Sequence, residues 1–190
     1  AILLIFVFLG TNNLWTQEHR WADTVWTMFG RHDFLHPYLD GKAYYDKPPL
    51  VYWLCAISFK LFGISEASAR LVPALAGLAT LASTMFFGSR ICGARAGLIS
   101  GCVLMLSIGF AFSGRYLLLD GVLSLLVSLS LLTGYEAIRG SRLKLGWWII
   151  SGICIGLAFL TKGPLALVLW LPPMIAFTWL SDGHPRLRWW

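Results

Sequence analysis

The hydrophobic positions divide the chain into a polar first third and a succession of long apolar runs. The runs are continuous rather than alternating, and several approach the roughly 20 residues that an α-helix needs to cross a bilayer. They predict the helices of a polytopic membrane protein. Residues 1–10 form about half of a span, which we interpret as part of a first helix in a longer protein. The other runs are 67–89, 97–113, 117–137, 146–161 and 165–180.

One further apolar segment, Leu50–Phe62, is predicted to lie in the membrane interface. It follows Pro48-Pro49, contains Lys60 and is short for a hydrocarbon core about 30 Å thick. If it does not cross, the short loops at 89–95, 139–144 and 181–188 share one side of the membrane. If it did cross, these loops would be divided between the two sides.

The short loops are basic, which favours the interfacial interpretation. Short loops rich in Lys and Arg face the cytoplasm, so we expect residues 11–66 to form a loop on the opposite, outer side and residues 67–180 to form transmembrane helices. The basic residues are Arg90, Arg95, Arg139, Arg142, Lys144, Arg186 and Arg188, against Glu136 and Asp182.

Composition agrees with a membrane protein. The 190 residues are 57% hydrophobic and 13% charged, too few charges to cover the surface of a soluble domain. The net charge of +6 lies mostly in short loops, which indicates contact with lipid head groups and no nucleic-acid site. The four cysteines show neither a CxxC motif nor zinc spacing.

The polar first third contains a predicted amphipathic helix at residues 18–29. Trp21, Val25, Met28 and Phe29 fall on one face of it, and Gly30 is the expected C-cap. Aromatic-rich helices of this kind lie at head-group depth.

Four groups of charged residues converge on the outer face in this topology. Transfer of a group from a lipid phosphate needs a carboxylate to activate the acceptor and cations to hold the phosphate. Each residue also has a structural explanation, as a helix-dipole acid, a local ion pair or a snorkelling cation. The groups are Gln17-Glu18-His19-Arg20, Asp46-Lys47, Arg115 with Asp120, and Lys162.

A divalent metal ion is a possible cofactor, with Asp46 as the candidate ligand. His19, His32 and His36 are the side chains that would complete such a site. Their spacing matches no metal motif, so the sequence leaves the cofactor undetermined.

Several motifs resemble those of bacterial membrane glycosyltransferases related to protein O-mannosyltransferases. Among that family, the motifs resemble those of the transferases that move 4-amino-4-deoxy-L-arabinose from undecaprenyl phosphate onto lipid A. The motifs are Tyr45-Asp46-Lys47-Pro48-Pro49-Leu50-Val51-Tyr52-Trp53-Leu54, residues 62–71, Gly114-Arg115 with Leu119-Asp120, and Phe159-Leu160-Thr161-Lys162-Gly163-Pro164.

The resemblance implies an all-α polytopic C-type glycosyltransferase fold with juxtamembrane helices in the first periplasmic loop. Residues 1–190 would be the N-terminal part of that domain, in a bacterial inner membrane with the active site on the periplasmic side. The donor would be a polyprenyl-phosphate sugar and the acceptor a lipid A-like lipid. The implied donor-phosphate ligands are Lys47, Arg115, Lys162 and Arg20, with Asp46 as a possible metal ligand.

One position departs from the family. The first-loop motif usually reads Asp-Glu-x-Arg-Tyr-Ala, with its leading aspartate as the catalytic carboxylate, and here Gln17 stands in that place. A glutamine can hydrogen-bond an acceptor but cannot take its proton. The catalytic candidates are therefore Glu18, Asp120 and Gln17, and two alternatives stay open: a non-catalytic lipid-binding relative, and a transporter or flippase of glycolipids.

Overall fold

The computed structural model describes residues 5–7, 9–140 and 142–180. Apart from one short hairpin, its secondary-structure elements are α-helices. In chain order they are α1 (Thr16–Arg31), β1 (Tyr38–Leu39), β2 (Lys42–Ala43), α2 (Leu50–Phe62), α3 (Glu66–Cys92), α4 (Ala94–Leu106), α5 (Ile108–Ser113), α6 (Leu119–Ile138), α7 (Leu145–Lys162) and α8 (Leu165–Leu180).

Three helices, α3, α6 and α7, are long and apolar enough to cross a membrane. The helices α2, α4 and most of α8 are apolar but shorter. The bounds of α2 are those predicted from the sequence, and its 13 residues extend about 20 Å, less than the hydrocarbon core. The structure confirms an all-α protein with membrane-spanning helices.

Ion pairs at the helix ends show how the long helices run. Arg90, near the end of α3, and Lys144, just before α7, both pair with Glu136 near the end of α6. Lys162, the last residue of α7, pairs with Asp120 in the first turn of α6. Helices α3 and α6 therefore run in one direction and α7 runs in the other. We call the two ends of this bundle the Asp120 end and the Glu136 end.

This arrangement separates the basic loops from the polar first loop, as the sequence predicted. The described residues of the loops at 89–95 and 139–144 lie at the Glu136 end, where Arg90, Arg139 and Lys144 pair with Glu136. The first loop lies at the Asp120 end, because Glu18 accepts a hydrogen bond from the backbone of Leu117, which precedes α6. The predicted loop at 181–188 lies outside the described residues.

The return path from the Glu136 end to the Asp120 end is broken into α4 and α5. The sequence predicted one continuous helix over 97–113, and this was wrong, because Ser107 is extended (φ −72°, ψ 117°) between the two helices. An uninterrupted apolar run does not reveal such a break. Helix α4 packs closely on α3, where a Cβ at Gly97 would collide with the backbone of Met85 and Ser89.

The first loop folds into α1, the hairpin and α2. Helix α1 extends to Arg31 and is capped by His32 in the left-handed region (φ 53°), so the predicted cap at Gly30 was wrong. Asp40 and Gly41 also have positive φ (51° and 76°) and form the turn between β1 and β2.

The main apolar core joins the first loop to the long helices. The predicted face of α1 is buried in it, with Val25 and Met28 fully enclosed. Helix α2 contributes Val51, Tyr52 and Cys55, all about 1% exposed. The first loop is thus packed firmly against the Asp120 end, and its charged residues have defined positions.

Candidate active site

Glu18, in the first turn of α1, forms a buried ion pair with Arg70 of α3. The Glu18 side chain has no exposed surface, and that of Arg70 is 5% exposed. Arg70 Nε donates to Oε1 and Nη2 donates to Oε2, each at 2.8 Å. This bidentate geometry is the strongest form of an Arg–carboxylate contact.

Two backbone N–H groups complete the environment of Glu18. Trp15 N donates to Oε2 and Leu117 N donates to Oε1, both at 2.8 Å. Four hydrogen bonds fill the acceptor positions of a carboxylate. Burial raises the pKa of Glu18, but the hydrogen bonds from Arg70 and the two backbone groups outweigh it and hold the pKa below its ordinary value.

Arg70 also fixes the segment before α1. Its Nη1 donates to the carbonyl oxygens of Leu9 (3.0 Å) and Asn12 (2.8 Å), and Nη2 donates to that of Asn13 (3.1 Å). The pair with Glu18 therefore connects four parts of the chain: residues 9–13, α1, α3 and the approach to α6. The sequence did not identify Arg70 as a partner, although a charge at the start of an apolar run is a signal for one.

Gln17 and Arg20 lie beside this pair on the outside of α1. Both side chains are exposed, whereas that of Glu18 points inward. Arg20 acts electrostatically on Asp46, so α1 and the Asp46-Lys47 segment share one neighbourhood.

Asp46 and Lys47 form a partly exposed ion pair just before α2. Lys47 Nζ is 3.0 Å from Asp46 Oδ2, and the Tyr44 hydroxyl donates to the same oxygen at 3.2 Å. The hydrogen bond from Lys47, with that from Tyr44, holds the pKa of Asp46 below its ordinary range. The Lys47 side chain is 30% exposed, which leaves it accessible to an anion.

Asp120 and Lys162 form the second exposed pair, 2.6 Å apart from Nζ to Oδ1. The two side chains are 53% and 26% exposed. The sequence placed both residues on the outer side, and the structure brings them into contact across 42 positions of chain.

Arg115 contacts a different part of the site. Its Nη2 donates to the carbonyl oxygen of Val7 at 3.0 Å. It lines a cavity of about 430 Å³ together with Arg70, Tyr116 and the loop at 12–15. This cavity lies next to the Glu18 pair.

An apolar cavity of about 480 Å³ begins directly after the Asp46-Lys47 segment. Leu50 and Leu54 of α2 line one wall, and Leu75 of α3 and Leu125 of α6 line others. Only two residues, Pro48 and Pro49, separate Lys47 from Leu50, so a partly exposed cation and an apolar groove lie close together in the chain.

Within the described part of the chain, the side chains around Asp46 do not themselves form a metal site. Among the described residues, no three His, Cys, Asp or Glu side chains lie close enough to hold an ion. His36 pairs with Asp33 at 2.9 Å rather than with Asp46, whose near neighbours are Lys47 and Tyr44. We therefore assign no step to a metal.

Comparison with known proteins gives a family match and two sequence relatives. The sequence model of the family described as dolichyl-phosphate-mannose-protein mannosyltransferase matches residues 46–189. A protein of Aquifex aeolicus without an assigned function is 33% identical over 188 residues, covering 98% of this chain and 37% of that protein. An undecaprenyl phosphate-alpha-4-amino-4-deoxy-L-arabinose arabinosyl transferase of Pseudomonas savastanoi pv. phaseolicola is 32% identical over 180 residues, covering 92% and 33%.

A solved structure has the same fold. The crystal structure of ArnT from Cupriavidus metallidurans bound to undecaprenyl phosphate matches 94% of this chain with a TM-score of 0.81 and 28% sequence identity. The match covers 33% of that protein. The chain thus spans about a third of the length of these relatives.

Proposed function

The chain belongs to the dolichyl-phosphate-mannose-protein mannosyltransferase family, and from that premise we propose that it is the donor-binding part of a membrane glycosyltransferase. The full protein would transfer a sugar from a polyprenyl phosphate to a lipid A-like acceptor. The observation that carries the proposal is the presence of two partly exposed ion pairs, Asp46–Lys47 and Asp120–Lys162. The third pair of the site, Glu18–Arg70, is buried. The relatives' names and the undecaprenyl phosphate in the matched structure support the donor class.

The reaction requires cations where the donor phosphate leaves. An acceptor oxygen forms a bond to the anomeric carbon, and the bond from that carbon to the phosphate oxygen breaks. Negative charge then develops on the phosphate, so fixed cations stabilise the transition state more than the ground state. Lys47 and Lys162 are the main ligands in this proposal, with Arg20 and Arg115 assisting. Each of the two lysines is partly exposed and held by a carboxylate.

Asp120 is the proposed group that accepts or directs the acceptor's proton. It is half exposed, and within the part of the chain that the structure describes its one contact is from Lys162 to Oδ1, which leaves Oδ2 for the acceptor. Glu18 fits that role poorly, because both of its oxygens are engaged by buried donors and its lowered pKa makes it a weak base. Gln17 is exposed one residue away and is proposed to orient the acceptor by hydrogen bonding.

We further propose that the polyprenyl chain enters the apolar cavity lined by Leu50 and Leu54. A phosphate held by Lys47 would lie at the start of this groove, and the chain would continue along α2. Leu54→Trp would obstruct the groove without touching the charged groups. We expect it to raise KM for an undecaprenyl donor and to leave KM for a short-chain, soluble donor unchanged. An equal rise for both donors would contradict this route.

The proposed active site faces the periplasm. The support is the excess of basic residues at the Glu136 end, which the positive-inside rule assigns to the cytoplasm. In a cysteine-free background, a cysteine at Leu35 should react with an impermeant reagent added to intact spheroplasts. A cysteine at Arg142 should react only after lysis, and the reverse result would overturn the orientation.

The experiment that tests the donor site is Lys47→Ala in the full-length protein. Loss of a charge-assisted phosphate contact worth about 1.5–3 kcal/mol should lower transfer at limiting donor by about 10- to 150-fold. Lys60→Ala is the matched control, since Lys60 is an exposed lysine later in α2. Transfer by Lys47→Ala within twofold of the parent would refute the assignment.

Product formation, lipid binding and lipid movement between leaflets, measured on the same protein, separate the two alternatives from a transferase. A non-catalytic relative would bind the polyprenyl phosphate and form no product at any donor concentration. A flippase would move the lipid between leaflets without forming a glycosidic bond. Either result in the purified full-length protein would replace the transferase proposal.

A further inference from the structure

The Glu136 end of the bundle contains a cluster of charges that the proposed transfer reaction does not use. Glu136 has no exposed surface, and three cations surround it. Its Oε1 lies 3.4 Å from Arg90 Nε, and its Oε2 lies 3.1 Å from Arg139 Nε and 3.9 Å from Lys144 Nζ. Along α6 this cluster is about 24 Å from Asp120, close to the thickness of a hydrocarbon core.

The carboxylate of Glu136 brings the three cations together but neither neutralises their charge nor accepts their hydrogen bonds. Within the described residues, neither oxygen of Glu136 receives a hydrogen bond of good geometry, in contrast to the four at Glu18. One negative charge faces three positive charges, so the cluster retains an excess of positive charge. An arginine has five N–H donors and a lysine has three, and most of these remain available.

The cations are positioned to meet a ligand at the surface. Their side chains are 43%, 30% and 45% exposed for Arg90, Arg139 and Lys144, while the carboxylate behind them is enclosed. The cluster joins three elements, because Arg90 lies in the last turn of α3, Arg139 follows α6 and Lys144 precedes α7. An anion bound here would contact all three helix ends at once.

The surroundings indicate head-group depth. Arg90 lies 5.9 Å from the ring centre of Trp147, which in turn packs edge-on against Phe87. Trp148 follows in the same first turn of α7, and tryptophans concentrate at membrane–water interfaces. At that depth the most concentrated anions are the phosphodiesters of acidic lipids.

We propose that Arg90, Arg139 and Lys144 form a binding site for the phosphodiester head group of an anionic phospholipid, with Glu136 as the positioning residue that gathers the cations. The site is separate from the proposed donor site and does not depend on the proposed function. It would fix the three helix ends to the acidic leaflet and stabilise the bundle there.

The test uses the purified full-length protein in nanodiscs of phosphatidylcholine, with and without phosphatidylglycerol. Ligand that binds only the native state raises thermal stability, so phosphatidylglycerol should raise the Tm of the parent. Native mass spectrometry should show that the anionic lipid is retained. Lys144→Gln and Arg139→Gln should each lower phosphatidylglycerol affinity by about tenfold or more.

Arg95→Gln is the matched control, since it removes one exposed arginine at the start of α4, at the same end of the bundle. It should keep the parent's lipid-dependent Tm shift. An equal loss in Arg95→Gln would mean general attraction to charge and would overturn the site. Equal retention of phosphatidylcholine and phosphatidylglycerol would also overturn the site.

Two further arms complete the test. Inorganic phosphate at millimolar concentration should not displace the lipid, and full displacement would assign the cluster to a free anion instead. Lys144 lies farthest from Glu136 and is the most exposed of the three cations. We therefore expect Lys144→Gln to retain the fold. A normal Tm for Lys144→Gln in phosphatidylcholine alone shows that lost lipid binding is not lost folding.

Discussion

The Glu18–Arg70 and Asp120–Lys162 pairs lie near the same end of the helices but differ in their surroundings. In the first pair both side chains are buried, and each carboxylate oxygen accepts two hydrogen bonds. In the second pair the carboxylate is 53% exposed and, among the described residues, has one contact, at 2.6 Å. A saturated, buried carboxylate holds the fold together, whereas an exposed one with a free oxygen is available for chemistry.

The contrast also explains how the two pairs depend on each other. Leu117 N donates to Glu18, and Asp120 follows three residues later in the first turn of α6. The buried pair thereby positions the start of α6 beside the first loop. A change in Glu18 would reach Asp120 through this backbone contact, so stability and transfer must be measured separately.

The largest effect is expected for Asp120→Asn. Loss of a general base typically lowers the rate by about 10²- to 10⁴-fold, and the amide cannot take a proton. Single-turnover transfer at saturating donor should fall by this factor, while the Tm stays near that of the parent because the site is exposed. Near-normal turnover would remove Asp120 from the catalytic role.

Arg70→Met should have the next largest effect, and it should act on stability. The variant leaves the Glu18 carboxylate buried without its partner, which costs about 3–5 kcal/mol. Chemical unfolding in a mild detergent should show this loss. Arg20→Met is the control, because Arg20 is exposed on α1 and its replacement should change stability by about 0.5 kcal/mol or less. Equal effects of the two variants would mean that the Arg70 pair is not structural.

Sequence reasoning singled out the four residues of the exposed pairs but grouped Asp120 with Arg115, and it gave Glu18 no partner. Asp120 and Lys162 were placed on the same side because Asp120 lies just inside the start of one apolar run and Lys162 follows the end of another. Their contact follows from the antiparallel packing of α6 and α7. The Glu18–Arg70 contact spans 52 positions between different elements, and no local pattern encodes it. The extended backbone at Ser107 was missed for a related reason, since hydropathy reports burial but not backbone conformation.

The smallest effect is a pH dependence of stability that comes from Glu18. Its pKa in the folded protein lies below the ordinary value of 4.5. The stabilisation is therefore fully present above about pH 4.5 and is lost as the pH falls through the lowered pKa. Unfolding measured between pH 7 and pH 3 should show this loss. Glu18→Gln should remove that component of the pH dependence, and an unchanged profile would exclude Glu18 as its source.

The most direct test of the division between the two pairs is the single-turnover transfer rate per folded molecule, measured side by side for Glu18→Gln and Asp120→Asn in the full-length protein. Folded protein is counted by size-exclusion chromatography immediately before each assay. The account predicts that Glu18→Gln lowers the Tm but keeps transfer within about threefold of the parent, whereas Asp120→Asn keeps the Tm and loses about 10²-fold or more in rate. A folded but inactive Glu18→Gln, together with an active Asp120→Asn, would contradict it.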